Sequence, residues 1–170
     1  CDVALAPARL GPTVLGGDSD DTVSRVSTDG GLNFGAIHNH TNFTADQGED
    51  LPRAAVRGNT IIVVQGDTRL GTPDQLFASL SFDAGATWSD NNLISRGPAA
   101  IDVDSFDLEF TNGGTIFVGY HDDREGAGNI DNDIYVVVDR NGGQDFVANT
   151  HFEVQLSTGS DNDSMYRCES

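Results

Sequence analysis

Ser27-Thr28-Asp29-Gly30-Gly31-Leu32-Asn33-Phe34 returns as Ser81-Phe82-Asp83-Ala84-Gly85-Ala86-Thr87-Trp88, and in altered form as Asp139-Arg140-Asn141-Gly142-Gly143-Gln144-Asp145-Phe146. The copies begin at positions 27, 81 and 139, a period of 54 residues (81 minus 27) and then 58 (139 minus 81). A period of that size marks a repeat architecture, each unit one supersecondary piece. The residue types within each copy suit a tight turn. Ser and Asp side chains bond backbone N–H groups a residue or two ahead. Glycine at the fifth position supplies a positive φ. The closing aromatic pins the turn onto a sheet.

The pattern Ser-x-Asp-x-Gly-x-x-Trp/Phe resembles the Asp-box of sialidase-like β-propellers. The resemblance implies a hairpin between the third and fourth strands of each blade, away from the catalytic face. It implies structural roles for Ser27, Asp29, Gly31 and Phe34, for Ser81, Asp83, Gly85 and Trp88, and for Asp139, Asn141, Gly143 and Phe146. The third copy has Asp139 in place of Ser and Asn141 in place of Asp, so a looser turn is expected there.

The repeat extends beyond the boxes. Pro52 to Arg69 and Phe106 to Arg124 each read as a short strand, a Gly/Asn turn and an apolar strand ending in Asp-x-Arg. Third strands are expected over 75–81 and 133–138, followed by the box and a fourth strand. β-rich runs cut by Gly, Asn and Asp are the hairpin signal. No window holds a 3.6-residue apolar period, so almost no helix is expected. In the first unit, strands are expected at 3–5, 13–15, 22–27 and 34–38. The chain thus reads as all-β: one domain of three four-stranded Asp-box units, sialidase-like β-propeller blades, over about residues 1–48, 49–101 and 102–158. Residues 159–170 open a further unit or form an exchanged strand. Core candidates are Ile61, Val63, Leu76, Leu80, Trp88, Ile116, Val118, Tyr135, Val137, Phe146 and Phe152. Propellers have about four to eight blades, and three do not close a ring. That leaves a piece of a larger protein, half of a two-chain six-bladed ring, or a flatter array. Unpaired edges at terminal units invite pairing with another chain, so self-association is expected.

The net charge of −18 and pI near 4.1 argue against nucleic acid or an anionic membrane as partner. All nine basic residues are Arg. A Lys-free acidic chain suits a salty or calcium-rich exterior; compositional drift in a GC-rich genome gives the same pattern. The only cysteines, Cys1 and Cys168, suggest a disulfide within the chain or between chains. Cys1 also stands where a processed lipoprotein carries its lipid, and a free buried Cys168 is the plain alternative. Asn39, Asn42 and Asn162 head glycosylation acceptor patterns, which a chain this rich in Asn, Ser and Thr also produces by chance. The expected placement is extracellular or at the cell surface. No segment is apolar for long enough to span a membrane.

Three kinds of chemistry compete. The sialidase resemblance implies an arginine triad, a Tyr/Glu nucleophile and an Asp acid/base. The expected Arg-Ile-Pro motif is absent, and Pro52-Arg53-Ala54 comes nearest. Arg53, Arg69 and Arg124, with Asp74 as acid, are the catalytic candidates. Asp-x-Arg occurs both at Asp67/Arg69 and at Asp122/Arg124, and a set that recurs in successive units reads as a structural brace. The sequence therefore leans against an enzyme. Dense oxygen ligands at Asp122, Asp123, Asp131 and Asp133 suit calcium, which takes about six to eight oxygens, although no EF-hand loop is present. His38 and His40 alternate along a strand and point to one face; with His121 or His151 they offer transition-metal ligands, against ordinary strand histidines as the plainer account. Taken together, the sequence reads as a secreted or cell-surface structural or adhesive module that self-associates through its ends. The alternative is a fragment of a sialidase-like glycoside hydrolase or a glycan-binding propeller.

Overall fold

The structure, a computed structural model, describes residues 2–8, 21–40, 49–70, 74–96, 103–122 and 133–157. Cys1, Asn42, Asp123, Arg124, Asp131, Asn162, Cys168 and the segments 13–15 and 159–170 lie outside these residues.

Three antiparallel sheets follow one another along the chain. Sheet one holds β1 (Asp2–Ala8), β2 (Asp21–Ser27) and β3 (His38–Asn39). Sheet two holds β4 (Glu49–Arg57), β5 (Thr60–Asp67), β6 (Gln75–Ser81) and β7 (Asn92–Leu93). Sheet three holds β8 (Val103–Phe110), β9 (Ile116–Asp122), β10 (Asp133–Asp139) and β11 (Phe152–Gln155). The one helix among the described residues is a single turn, α1 (Gln144–Val147). No described helix is long and apolar enough to cross a membrane. The chain is all-β and built of propeller-type blades.

The registers repeat. Asp2, Ile61 and Ile116 each face the first residue of a box: Ser27, Ser81 and Asp139. A bulge interrupts the pairing at Asp50/Arg53 on β4 and at Val103/Ser105 on β8, the same place in the two sheets. Sheet one departs from expectation. The segment expected as its first strand pairs with β2 along its whole length, Asp2 opposite Ser27 through Ala8 opposite Asp21. It therefore occupies the second-strand position held by β5 and β9. Seven residues of matched length satisfy the β2 backbone without a further strand between them.

Burial follows from the stacking. β5 is buried on both faces from Ile61 onward, and β6 throughout, because sheet two lies between the other two. A strand covered on both sides reads as a continuous apolar run, as Thr60-Ile61-Ile62-Val63-Val64 does. β9 alternates instead: Ile116, Val118 and Tyr120 are buried, whereas Phe117 is exposed. The main core fills the seam between sheets two and three. Ile62, Val64, Leu76, Leu80 and Ile94 meet Leu108, Ile116, Val118, Tyr135 and Phe146. The expected core residues are buried except Trp88 and Phe152, which are half-buried. The seam between sheets one and two is more polar. Its centre is His40, with Ser24 Oγ 2.7 Å from Nε2 and Ser79 Oγ 2.5 Å from Nδ1.

Candidate functional site

The boxes close one end of every sheet. In the first, Ser27 donates to Asp29 Oδ1 at 2.8 Å and accepts the Gly31 amide at 2.9 Å; Asp29 accepts the Asn33 amide at 2.9 Å and its side chain at 2.7 Å. The second repeats this with Ser81, Asp83, Gly85 and Thr87, at 2.8 Å, 2.8 Å, 2.8 Å and 2.6 Å in the same order. The hydrogen bonds from Asn33 and Thr87 hold the Asp29 and Asp83 carboxyls down at about 2. The third box is not loosened by its substitutions. Asp139 alone accepts the amides of Asn141, Gly143 and Phe146, each at 2.8 Å. A carboxylate has two oxygens where Ser has one, so Asp139 also reaches the N–H of Phe146 in α1, which buries that ring completely.

Two of the three box glycines, Gly85 and Gly143, are also contact points between sheets. A Cβ on Gly143 would lie 2.2 Å from Leu80 Cδ2, and one on Gly85 would lie 2.5 Å from Val26 Cγ2. Val26 and Leu80 occupy equivalent positions, each just before the last residue of a third strand. Gly31 has open space in this direction.

The opposite strand ends carry the other carboxylates. Asp67, fully buried, accepts the Arg69 amide at 2.7 Å and pairs with the Arg69 guanidinium, which lies 4.3 Å over the Phe77 ring. Asp122 and Asp133 sit directly opposite each other at the ends of β9 and β10. Asp133 accepts Ser157 Oγ at 2.7 Å and Gln155 Nε2 at 3.2 Å. No three His, Cys, Asp or Glu side chains gather as a metal site among the described residues. Asp74, half-buried, lends its carbonyl to the Val103 amide at 3.3 Å and so ties sheet two to sheet three. Tyr120 donates to Glu153, which also accepts the Arg96 amide at 2.9 Å. Tyr120 is buried, so this Tyr–Glu pair braces the seam. Sequence reasoning missed it because its partners, on β9 and β11, lie 33 residues apart.

The first strands of sheets two and three run side by side. Arg53 on β4 and Asp107 on β8 are both exposed and hold the same height, paired with Val64 and Gly119, three residues before Asp67 and Asp122. The Arg53 guanidinium lies 5.9 Å from the Phe106 ring centroid.

The four histidines do not converge. His38 and His40 meet at 4.7 Å, both against Trp88. His121 lies 3.2 Å from Ser105 Oγ, and His151 packs on Phe146 with Nε2 3.0 Å from the Ile94 carbonyl. Burial pushes His40 down to about 3, helped by His38 beside it, and lowers His38 as well. Burial also lowers His151, with the Arg96 charge adding to it. Asn39 lies half-buried on β3.

The fold is similar to that of solved β-propeller glycosidases. The α-L-arabinanase of Penicillium chrysogenum, complexed with arabinobiose, superposes with a TM-score of 0.57 at 14% identity, over 83% of this chain and 42% of that one. The GH93 α-L-arabinofuranosidase of Fusarium graminearum with arabinobiose gives 0.52 at 12% identity, over 80% of this chain and 41% of that one. The chain thus spans about two fifths of each of these proteins. No family model and no curated relative matches the sequence.

Proposed function

We propose that this chain supplies blades to a glycan-directed β-propeller of glycoside-hydrolase type. Its working surface is formed by the strand ends opposite the boxes and by the exposed edge of β4 and β8. The observation that carries this reading is the fold shared with an arabinanase and an arabinofuranosidase, both seen with arabinobiose. The distribution of carboxylates supports it. Asp29 and Asp83 are committed to their turns, whereas Asp67, Asp74, Asp122 and Asp133 collect at the other end. Glycoside hydrolysis needs two carboxyl groups flanking the bond. Asp67 is held by Arg69, and Asp133 by Ser157 and Gln155, so the chain alone is expected to bind sugar without cleaving it. Calcium at Asp122 and Asp133, with Asp123 and Asp131, and an extracellular setting belong to the same proposal; loss of melting temperature on adding EDTA tests the metal.

Calorimetry with arabinobiose, alongside arabinose-release and fluorogenic sialoside assays, tests the function. Binding without turnover is expected, weakened about tenfold by Arg53→Ala through loss of a charged hydrogen-bond donor. Absence of binding would refute the reading. Turnover abolished by Arg53→Ala would show that the chain is itself a hydrolase.

A second reading, a structural or adhesive module that self-associates through its ends, rests on sheet three. Phe117 is 40% exposed and Leu156 60%, whereas the equivalent residues of sheet two, Ile62 and Ile94, are fully buried. Gly31 likewise lacks the neighbour that Gly85 and Gly143 have. Head-to-tail association of copies would cover both surfaces. Light scattering should then show oligomers that Phe117→Asp disperses; a monomer at all concentrations would eliminate this reading.

A further inference from the structure

A cleft of about 690 Å³ opens between the box ends of sheets one and two, within the size range of small-molecule sites. Trp88 and His38 form a stacked pair on its wall, ring centroids 5.1 Å apart and planes 13° from parallel. Phe34, the closing aromatic of the first box, is 40% exposed and lines the same cleft. Its counterpart Phe146 is fully buried, so the first box presents to solvent a ring that the third box packs away. Arg25 donates Nε to the Gly35 carbonyl at 2.8 Å. Among the described residues, its two terminal nitrogens, the His38 ring nitrogens and the Trp88 indole N–H have no protein partner. Asp29 and Asp83 also line the cleft, but each already accepts three hydrogen bonds from its own turn.

We propose that this cleft binds a neutral oligosaccharide and does not cleave it. Aromatic rings offer flat apolar area to the C–H face of a sugar ring. Uncommitted donors on Arg25, His38 and Trp88 suit ring hydroxyls, which accept as readily as they donate. Concavity, exposed aromatic surface and a few unpaired polar groups together are the marks of a ligand site. The carboxylates lining the cleft argue against cleavage. A glycosidase needs one acid that stays protonated near neutral pH. Asp29 and Asp83 each accept three hydrogen bonds from their own turns, which favour the ionised form. The site is independent of the working surface proposed above, which lies at the other end of the sheets.

Trp88 is the chain's single tryptophan, so its fluorescence reports this cleft alone. The test is titration of Trp88 emission with arabinobiose, cellobiose and N-acetyllactosamine. At least one is expected to give a saturable change. Arg25→Ala and Phe34→Ala should each weaken it about tenfold, with circular dichroism showing that both variants remain folded at the titration temperature. Arg53→Ala, at the other surface, should leave the titration unchanged. A flat response to all three sugars would overturn the proposal. So would a response that survives both cleft substitutions or is abolished by Arg53→Ala.

Discussion

Asp139→Ala removes one buried carboxylate and strands three backbone amides. Asn141, Gly143 and Phe146 each donate to it at 2.8 Å, and the last two of these bonds are buried. A buried donor left without an acceptor costs about 1–3 kcal/mol. The two buried donors therefore account for about 2–6 kcal/mol and the partly exposed one adds less, a large share of the 5–15 kcal/mol typical of a domain. Asp139→Ser is the informative companion. Ser27 and Ser81 show that one hydroxyl accepts the amide four residues ahead, at 2.9 Å and 2.8 Å, and lies 3.4 Å from the amide two residues ahead. Serine at 139 should therefore recover all but the Phe146 bond, leaving a loss of about 1–3 kcal/mol. Urea unfolding followed by circular dichroism measures both, provided the slope is unchanged. An alanine variant within about 1 kcal/mol of the parent, or a serine variant as damaged as alanine, would refute the idea that Asp139 does the work of both box side chains.

Three further outcomes are expected. Gly143→Ala, at φ 100° with its Cβ 2.2 Å from Leu80 Cδ2, should destabilise far more than Gly31→Ala, which meets open space; chemical denaturation compares them. His40 is buried and neutral, with its pKa pushed down to about 3 from the usual 6.5, so the unfolded chain takes up a proton that the folded chain refuses. Stability should therefore fall as pH drops from 6.5 towards 3, and His40→Gln should flatten that slope in melting curves. Gln65 buries an amide whose nitrogen and oxygen have no partner among the described residues, so Gln65→Leu should raise stability by about 1–3 kcal/mol in urea unfolding.

Much of the fold was legible because the box is a local device. Ser27 and Asp29 bond within four residues, so their spacing alone specifies the turn. The apolar run at Ile61–Val64 marked a strand, and the structure shows it covered on both faces. The third box shows where local reading stops. Replacement of Ser by Asp139 looked like a weakening because the bond to Phe146, seven residues on, depends on α1. The place of β1 depends on its pairing with β2, which no period reveals. The candidate sites were less legible still. Arg69 is spent on Asp67, and the cleft joins Arg25 and Phe34 to Trp88 across two units. Trp88, expected in the core, instead lines that cleft half-buried, so its truncation should cost less than that of Phe146.

Every functional statement rests on three sheets stacked face to face, with the middle one covered on both sides. Backbone hydrogen exchange under native conditions measures this most directly, since protection tracks the free energy of local opening. Exchange should be slowest in β5 and β6, intermediate in β9 and β10, and fastest in the two-residue strands β3 and β7. Among the box glycines the amide of Gly143 should be best protected and that of Gly31 least, following their contacts with the preceding sheet. Exchange in β5 and β6 as fast as in β3 and β7, or equal protection at the three glycines, would contradict the stacked-blade architecture.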